Sequence, residues 1–154
     1  MTERAYKVYA IENGTVIDHI PTPLALKVVR VLGLHGEGIL TIGIGFSSKK
    51  MTSKDIVKVE NRELSPEETN MIALIAPDAT INIIKDGRVA EKRRISPPDE
   101  VRGIMTCPNP NCASNRLGAV SLFRLEVPEQ VLYRCHYCER AAMAEPDLIV
   151  LPPR

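Results

Sequence analysis

All four cysteines of this 154-residue chain lie in one stretch, as Cys107-Pro-Asn-Pro-Asn-Cys112 and Cys135-His-Tyr-Cys138. Two short-spaced thiol pairs joined by a loop of this length can bring four sulfurs to the corners of one tetrahedron, the geometry of a closed structural zinc site. Pro108 and Pro110 stiffen the first knuckle, so that its backbone N–H groups can face the sulfurs. The spacing fits neither common ferredoxin pattern, and a redox C-x2-C pair needs a βαβ context that this region lacks. A disulfide pair or four ordinary buried cysteines are the plainer alternatives. With every cysteine clustered and none elsewhere, one structural zinc ion per chain, held by Cys107, Cys112, Cys135 and Cys138, is the expectation. Four thiolates leave no open position for water or substrate, and His136 between the last two ligands reads as a surface residue. The segment from Gly103 onward is marginal for a hydrophobic core alone, so the metal is expected to supply much of its folding free energy.

A second set of residues could bind rather than react. Asp18, His19, Lys58 and Asn82 interrupt otherwise apolar strands, and Lys92 sits near the end of another. A solvated outer sheet face accounts for any one of them. As a set they offer the cations and hydrogen-bond partners that an anionic, polyhydroxylated ligand requires. No nucleophile–base pair stands out. Gly43-Ile-Gly45 runs into Ser47-Ser48-Lys49-Lys50 instead of a helix, which excludes a phosphate loop of the usual kind. The residues alone point to a small anion-binding domain followed by a zinc β module.

The elements that must position these groups read as follows. Ala5–Ile11 is rich in β-branched and aromatic residues and predicts a strand, closed by the Asn13-Gly14 turn signal. Gly14–Pro21 is a second extended piece. Thr22, as N-cap, and Pro23 open a helix with Leu24, Val28 and Leu32 on one side and Gly33 and Gly36 at its end. Ile39–Phe46 alternates, with Leu40, Ile42, Ile44 and Phe46 on one face, and Ile56–Glu60 pairs back on it. Ser65, Pro66 and Glu68 form a capping box for a second helix with Met71, Ile72, Leu74 and Ile75 inside, stopped by Pro77. Ala79–Ile84 and Arg88–Ile95 close the domain as a hairpin about Asp86-Gly87. Antiparallel strands with two helices predict an α+β, ferredoxin-like sheet. Beyond it a small zinc-bound antiparallel β domain uses Ala119–Val127, Gln130–Arg134 and the Leu148–Leu151 run. Ser96-Pro97-Pro98-Asp99 marks the break, giving domains over 1–96 and 104–154 with a linker over 97–103.

Charge adds an exclusion. The chain carries a net charge of +1, no tryptophan, four tyrosines and two phenylalanines. A basic stripe or stacking platform for nucleic acid is hard to build from that. The start has no signal-peptide pattern and no apolar run is long enough to span a bilayer, so a cytoplasmic protein without membrane contact is expected.

Several strings occur in a telling order: Gly14-Thr-Val-Ile-Asp-His-Ile-Pro21, Lys58-Val-Glu-Asn61, Ala76-Pro77-Asp-Ala-Thr80 with Asn82, and the two cysteine knuckles. Together they resemble the regulatory chain of aspartate carbamoyltransferase, over essentially the whole chain. The resemblance implies a non-catalytic subunit of that transferase, in pyrimidine biosynthesis. Its first domain would bind CTP, UTP and ATP as allosteric effectors, and its zinc domain would dock on the catalytic chain. Phosphates would meet His19, Asn82 and Lys92, and the ribose Asp18 and Lys58. The base would meet backbone groups around Ala10 and Ile11 and a wall near Ile84 and Val89. The family position matching Gly87 often carries a side chain that helps hold the base, so base preference stays open. The resemblance also implies a regulatory-chain homodimer, paired along an edge near Ile39–Phe46. Two other classes compete: a zinc-ribbon nucleic-acid-binding factor, and an enzyme built on His19 and Asp18. Neither explains the order of motifs.

Overall fold

The computed structural model describes residues 10–34 and 38–150. The strand expected over Ala5–Ile11 lies outside them as far as Tyr9, as do Gly36 and Leu151. Ala10 and Ile11 precede the first strand without belonging to one.

The first sheet contains β1 (Gly14–Pro21), β2 (Leu40–Ser47), β3 (Ser53–Glu60), β4 (Thr80–Lys85) and β5 (Arg88–Arg94). Its order is β2-β3-β1-β4-β5, with every neighbouring pair antiparallel. Two helical segments make the crossovers. α1 (Ala25–Val31) joins β1 to β2, and α2 (Pro66–Asn70), continued by a 3-10 turn over Met71–Leu74, joins β3 to β4. This is the ferredoxin-like arrangement, with β5 added beyond β4. Gly14–Pro21, read from sequence only as an extended piece, is the central strand.

Strand alternation decides which face is covered. Thr15, Ile17, Val57, Val59, Ile81 and Ile83 are buried beneath the helices, with Val28, Ile72 and Leu74 packed into the same core. The residues between them face outward. The capping box forms as expected: the Ser65 hydroxyl accepts from the Glu68 N–H at 3.1 Å, and Glu68 accepts from the Ser65 N–H at 2.8 Å.

Two local expectations change. Thr22 does not cap α1. Its hydroxyl donates to the Asp55 carboxylate at 2.7 Å, and the same carboxylate accepts the Ala25 N–H at 3.0 Å and the Gly45 N–H at 3.0 Å. Asp55 is fully buried, and it takes over the cap from 30 residues away in sequence. The alternation of β2 is also broken. The ladder with β3 shifts between Gly43 and Phe46, and Gly45 has φ +81°. The inserted residue turns Phe46 onto the side of Gly43, where an added Cβ would meet its ring.

The second sheet has the order β6-β7-β8-β9, formed by β6 (Glu100–Arg102), β7 (Leu122–Val127), β8 (Leu132–Cys135) and β9 (Ala141–Met143). β6 falls inside the segment expected to be linker, where Glu100, Val101 and Arg102 pair with Arg124, Phe123 and Leu122. The Leu148–Leu151 run is not a strand as far as it is described. Pro146 opens a 3-10 turn over Pro146–Leu148, after which Ile149 makes a single bridge to Met105. The two cores form one buried cluster, and Lys27 Nζ of α1 donates to the Pro146 carbonyl across the junction.

Candidate ligand face and metal centre

The uncovered face of the first sheet carries the polar residues that the sequence singled out. Lys58 and Asn82 both stand opposite Val16, and Lys92 stands opposite Asn82, so one row runs Lys58–Val16–Asn82–Lys92 across four strands. Two residues along, Asp18 faces Thr80 and Thr80 faces Arg94. In the other direction Gly14 faces Ile84, which faces Val89. Successive rows are about 7 Å apart, so the three rows span about 14 Å. One end of the face is apolar and the other cationic.

His19 would follow Asp18 onto the covered face in a regular strand. Its φ of +57°, at a register shift in β1, turns it instead toward Thr80, whose hydroxyl shares a 2.9 Å hydrogen bond with His19 Nδ1. The His19 N–H donates to Asp18 Oδ1 at 2.6 Å. Lys54 Nζ lies 3.0 Å from the same carboxylate, so Asp18 is held in one orientation. Burial lowers the Lys58 pKa from its ordinary value, against the opposing pull of Asp18. Ala10 is exposed and Ile11 buried at the chain's approach to this sheet.

Lys54, Thr80 and Arg94 were missed. The signal was present: Lys54, Ile56 and Lys58 alternate, as do Thr80 with Asn82 and Lys92 with Arg94. The turn beyond Ile84 is open. Asp86 and Gly87 both have positive φ, and an added Cβ at Gly87 would meet nothing within 4 Å.

In the second domain, Cys107 Sγ lies 3.6 Å from Cys138 Sγ, and Cys112 Sγ lies 3.7 Å from Cys135 Sγ. All four sulfurs fall within 4.8 Å of one another. These separations exceed a disulfide bond, about 2.05 Å. They suit a tetrahedral shell, in which metal–sulfur bonds of about 2.3 Å put sulfurs about 3.8 Å apart. The donor set therefore fits a metal ion.

Five backbone N–H groups support the shell. The Asn109 N–H lies against Cys107, that of Ser114 against Cys112, those of Tyr137 and Cys138 against Cys135, and that of Arg140 against Cys138. Asn115 Nδ2 ties the first knuckle together by donating to the carbonyls of Cys107 at 2.8 Å and Asn109 at 2.7 Å. Burial pushes the Cys107 thiol up to about 12, the adjoining thiols adding to it. At Cys112 burial also acts upward, but hydrogen bonds from the Ser114 hydroxyl and N–H, together with those from the Cys135 and Cys107 thiols, draw the group down to about 6. A coordinated cation would favour the thiolate at all four positions. His136 is exposed, outside the shell.

Fold and site together define a two-domain α+β protein: a ferredoxin-like sheet with one open polar face, joined to a metal-binding β module. Residues 6–96 match the family described as "Aspartate carbamoyltransferase regulatory chain, allosteric domain", and residues 99–146 match its "metal binding domain". The aspartate carbamoyltransferase regulatory chain of Thermococcus gammatolerans is 54% identical over 141 residues, covering 90% of this chain and 93% of the relative. That of Methanothermobacter thermautotrophicus is 50% identical over 141 residues, covering 90% of each. The chain belongs to the aspartate carbamoyltransferase regulatory chain family. It is a regulatory, non-catalytic chain, with the transferase activity residing in a separate catalytic chain with which it associates. No helix among the described residues is long and apolar enough to cross a membrane.

Proposed function

We propose that the open face of the first sheet binds a nucleoside triphosphate, with CTP, UTP and ATP as competing effectors. The observation that supports this is that these residues share one open face, apolar along the Ile84–Val89 row and polar in the two rows beyond it. Ile84 and Val89, with the backbone around Ala10 and Ile11, form the base end. Asp18 and Lys58 suit ribose hydroxyls. Asn82 and Lys92, paired across β4 and β5, and His19, held beside Thr80, suit the phosphates on the other flank of the face. Asp18, already fixed by Lys54 and the His19 N–H, meets a hydroxyl without further ordering.

Regulation follows as linkage. A nucleotide that binds differently in two states of the assembly shifts their populations, and the difference reaches the catalytic chain through residues 97–103 and the second domain. Zinc is the proposed ion, one per chain. Four thiolates with no open position suit a structural ion, and zinc there supplies folding free energy and no chemistry. We assign residues 1–96 to effector binding and 104–154 to the catalytic-chain contact. Pairing of two regulatory chains along β2 is supported by its position at the sheet edge, with Ile39 66% and Ile44 51% exposed. A cytoplasmic location is part of the same proposal, since four thiols set to hold a metal instead of pairing as disulfides suit a reducing compartment.

Equilibrium titration of the zinc-loaded chain with CTP, UTP and ATP tests the effector site. Saturable binding in which each nucleotide displaces the others is expected. Absence of binding by all three at millimolar concentration would remove the proposal.

A further inference from the structure

We infer that the Tyr133 hydroxyl couples the effector-binding sheet to the metal centre by holding the Pro98 carbonyl of the linker; this rests on the effector role proposed above. Tyr133 is fully buried, and its hydroxyl donates to the Pro98 carbonyl at 2.7 Å. The segment it grips is short, since β5 ends at Arg94 and β6 begins at Glu100. Both ends are tied. The Ser96 N–H donates to Asn70 Oδ1 of the first domain at 3.1 Å, and the Leu125 N–H of the second donates to the Asp99 carbonyl at 2.8 Å. Between those ties, Pro97 and Pro98 have fixed φ and no N–H, which leaves the segment fewer rotations with which to absorb a displacement.

The two ends of this connection decide its use. β5 carries Lys92 onto the open face, opposite Asn82. Tyr133 lies in β8, an internal strand, paired with Leu125 on one side and Ala142 on the other. Two residues further on the same strand is Cys135, one of the four clustered thiols. A movement of β5 on phosphate capture thus reaches a strand that bears a metal ligand, and not a loose loop. The link is contiguous from face to knuckle, which gives the coupling a physical carrier. Phenylalanine would fill the same volume and lose only the hydroxyl. The Lys27 contact with the Pro146 carbonyl would remain to keep the domains docked.

The test uses Y133F in the full assembly. Wild-type and Y133F chains, each with its metal content verified, are combined with catalytic trimers, and aspartate half-saturation is measured with and without saturating CTP and ATP. Nucleotide affinity is measured on each chain alone. The expected result is unchanged affinity and an unchanged nucleotide-free curve, with the nucleotide-induced shift reduced to below about one third of wild type. A Y133F shift equal to that of wild type overturns the inference and leaves effector binding standing. A wild-type assembly that binds nucleotide without any shift overturns the regulatory role and the coupling with it. If Y133F assembles poorly, hydrogen exchange on the wild-type assembly decides. Nucleotide must alter protection of the amides of residues 132–135, and unaltered protection there overturns the inference.

Discussion

Asn82 stands directly opposite Lys92 in the ladder between β4 and β5. The pair places an amide and an ammonium side by side on the face of the first sheet opposite its helices. Neither is required for packing, so both can be removed without opening the core. K92A is expected to weaken triphosphate affinity about tenfold to a hundredfold, the value of one charge-assisted hydrogen bond. Calorimetric titration checks it, with urea unfolding as the control that stability is unchanged. Equal affinity in K92A and wild type would place the phosphates elsewhere.

Lys58 gives a pH dependence with a definite sign. Burial lowers its pKa below the ordinary 10.5, so part of its ammonium is lost at a lower pH than for a free lysine. An anionic or hydroxylated ligand beside it favours the charged form. Binding therefore takes up a proton on the alkaline side, and nucleotide affinity falls as pH rises through the lowered value. K58R, which keeps its charge, should flatten that slope on the alkaline side, below the ordinary lysine value of 10.5. Parallel curves for the two proteins would show that Lys58 does not meet the ligand.

Removing the metal should separate the two domains' roles. Four thiols packed within 4.8 Å lose their common partner on chelation, and burial then favours protonation at Cys107 and Cys135. The second domain is expected to lose its ordered β structure, and assembly with catalytic trimers should cease. Nucleotide binding by the first sheet should survive within about threefold, since all its contacts lie before residue 96. Thiol titration, near-UV spectra and sedimentation follow the three quantities; tight docking by metal-free chain would contradict the role given to the ion.

Asp55 makes the largest single stability prediction. It is fully buried and accepts hydrogen bonds from the Thr22 hydroxyl and the Ala25 and Gly45 N–H groups. D55A leaves three donors without a partner at the junction of β1, α1 and the β2 bulge. A loss of about 3 kcal/mol or more is expected. Urea unfolding followed by circular dichroism measures it, and a loss under about 1 kcal/mol would show that water replaces the carboxylate.

What could be read before the structure was what is local. The Ser65–Glu68 capping box spans four residues, and the two cysteine knuckles state their own spacing. The polar interruptions at Asp18, Lys58 and Asn82 were visible, and alternation alone would have added Lys54, Thr80 and Arg94. What escaped depends on distant partners. Thr22 looks like an N-cap because its competitor, Asp55, is 33 residues away. The β2 pattern looks regular because the shift at Gly45 exists only in its register with β3. The row Lys58–Val16–Asn82–Lys92 draws on four strands, and only their pairing creates it. β6 hid in a segment with proline-rich composition, where Glu100, Val101 and Arg102 are too few to show a period.

The central claim is that this chain senses nucleotide and reports it to catalytic chains. The direct measurement is the aspartate saturation curve of the zinc-loaded chain assembled with catalytic trimers from the same source, with and without saturating CTP, UTP and ATP, on a complex of verified mass. The account predicts a complex larger than the trimer whose half-saturation moves with at least one nucleotide, and K92A is expected to need about tenfold to a hundredfold more of that nucleotide for the same shift. A fully assembled, metal-loaded complex with superimposable curves at every nucleotide would contradict it.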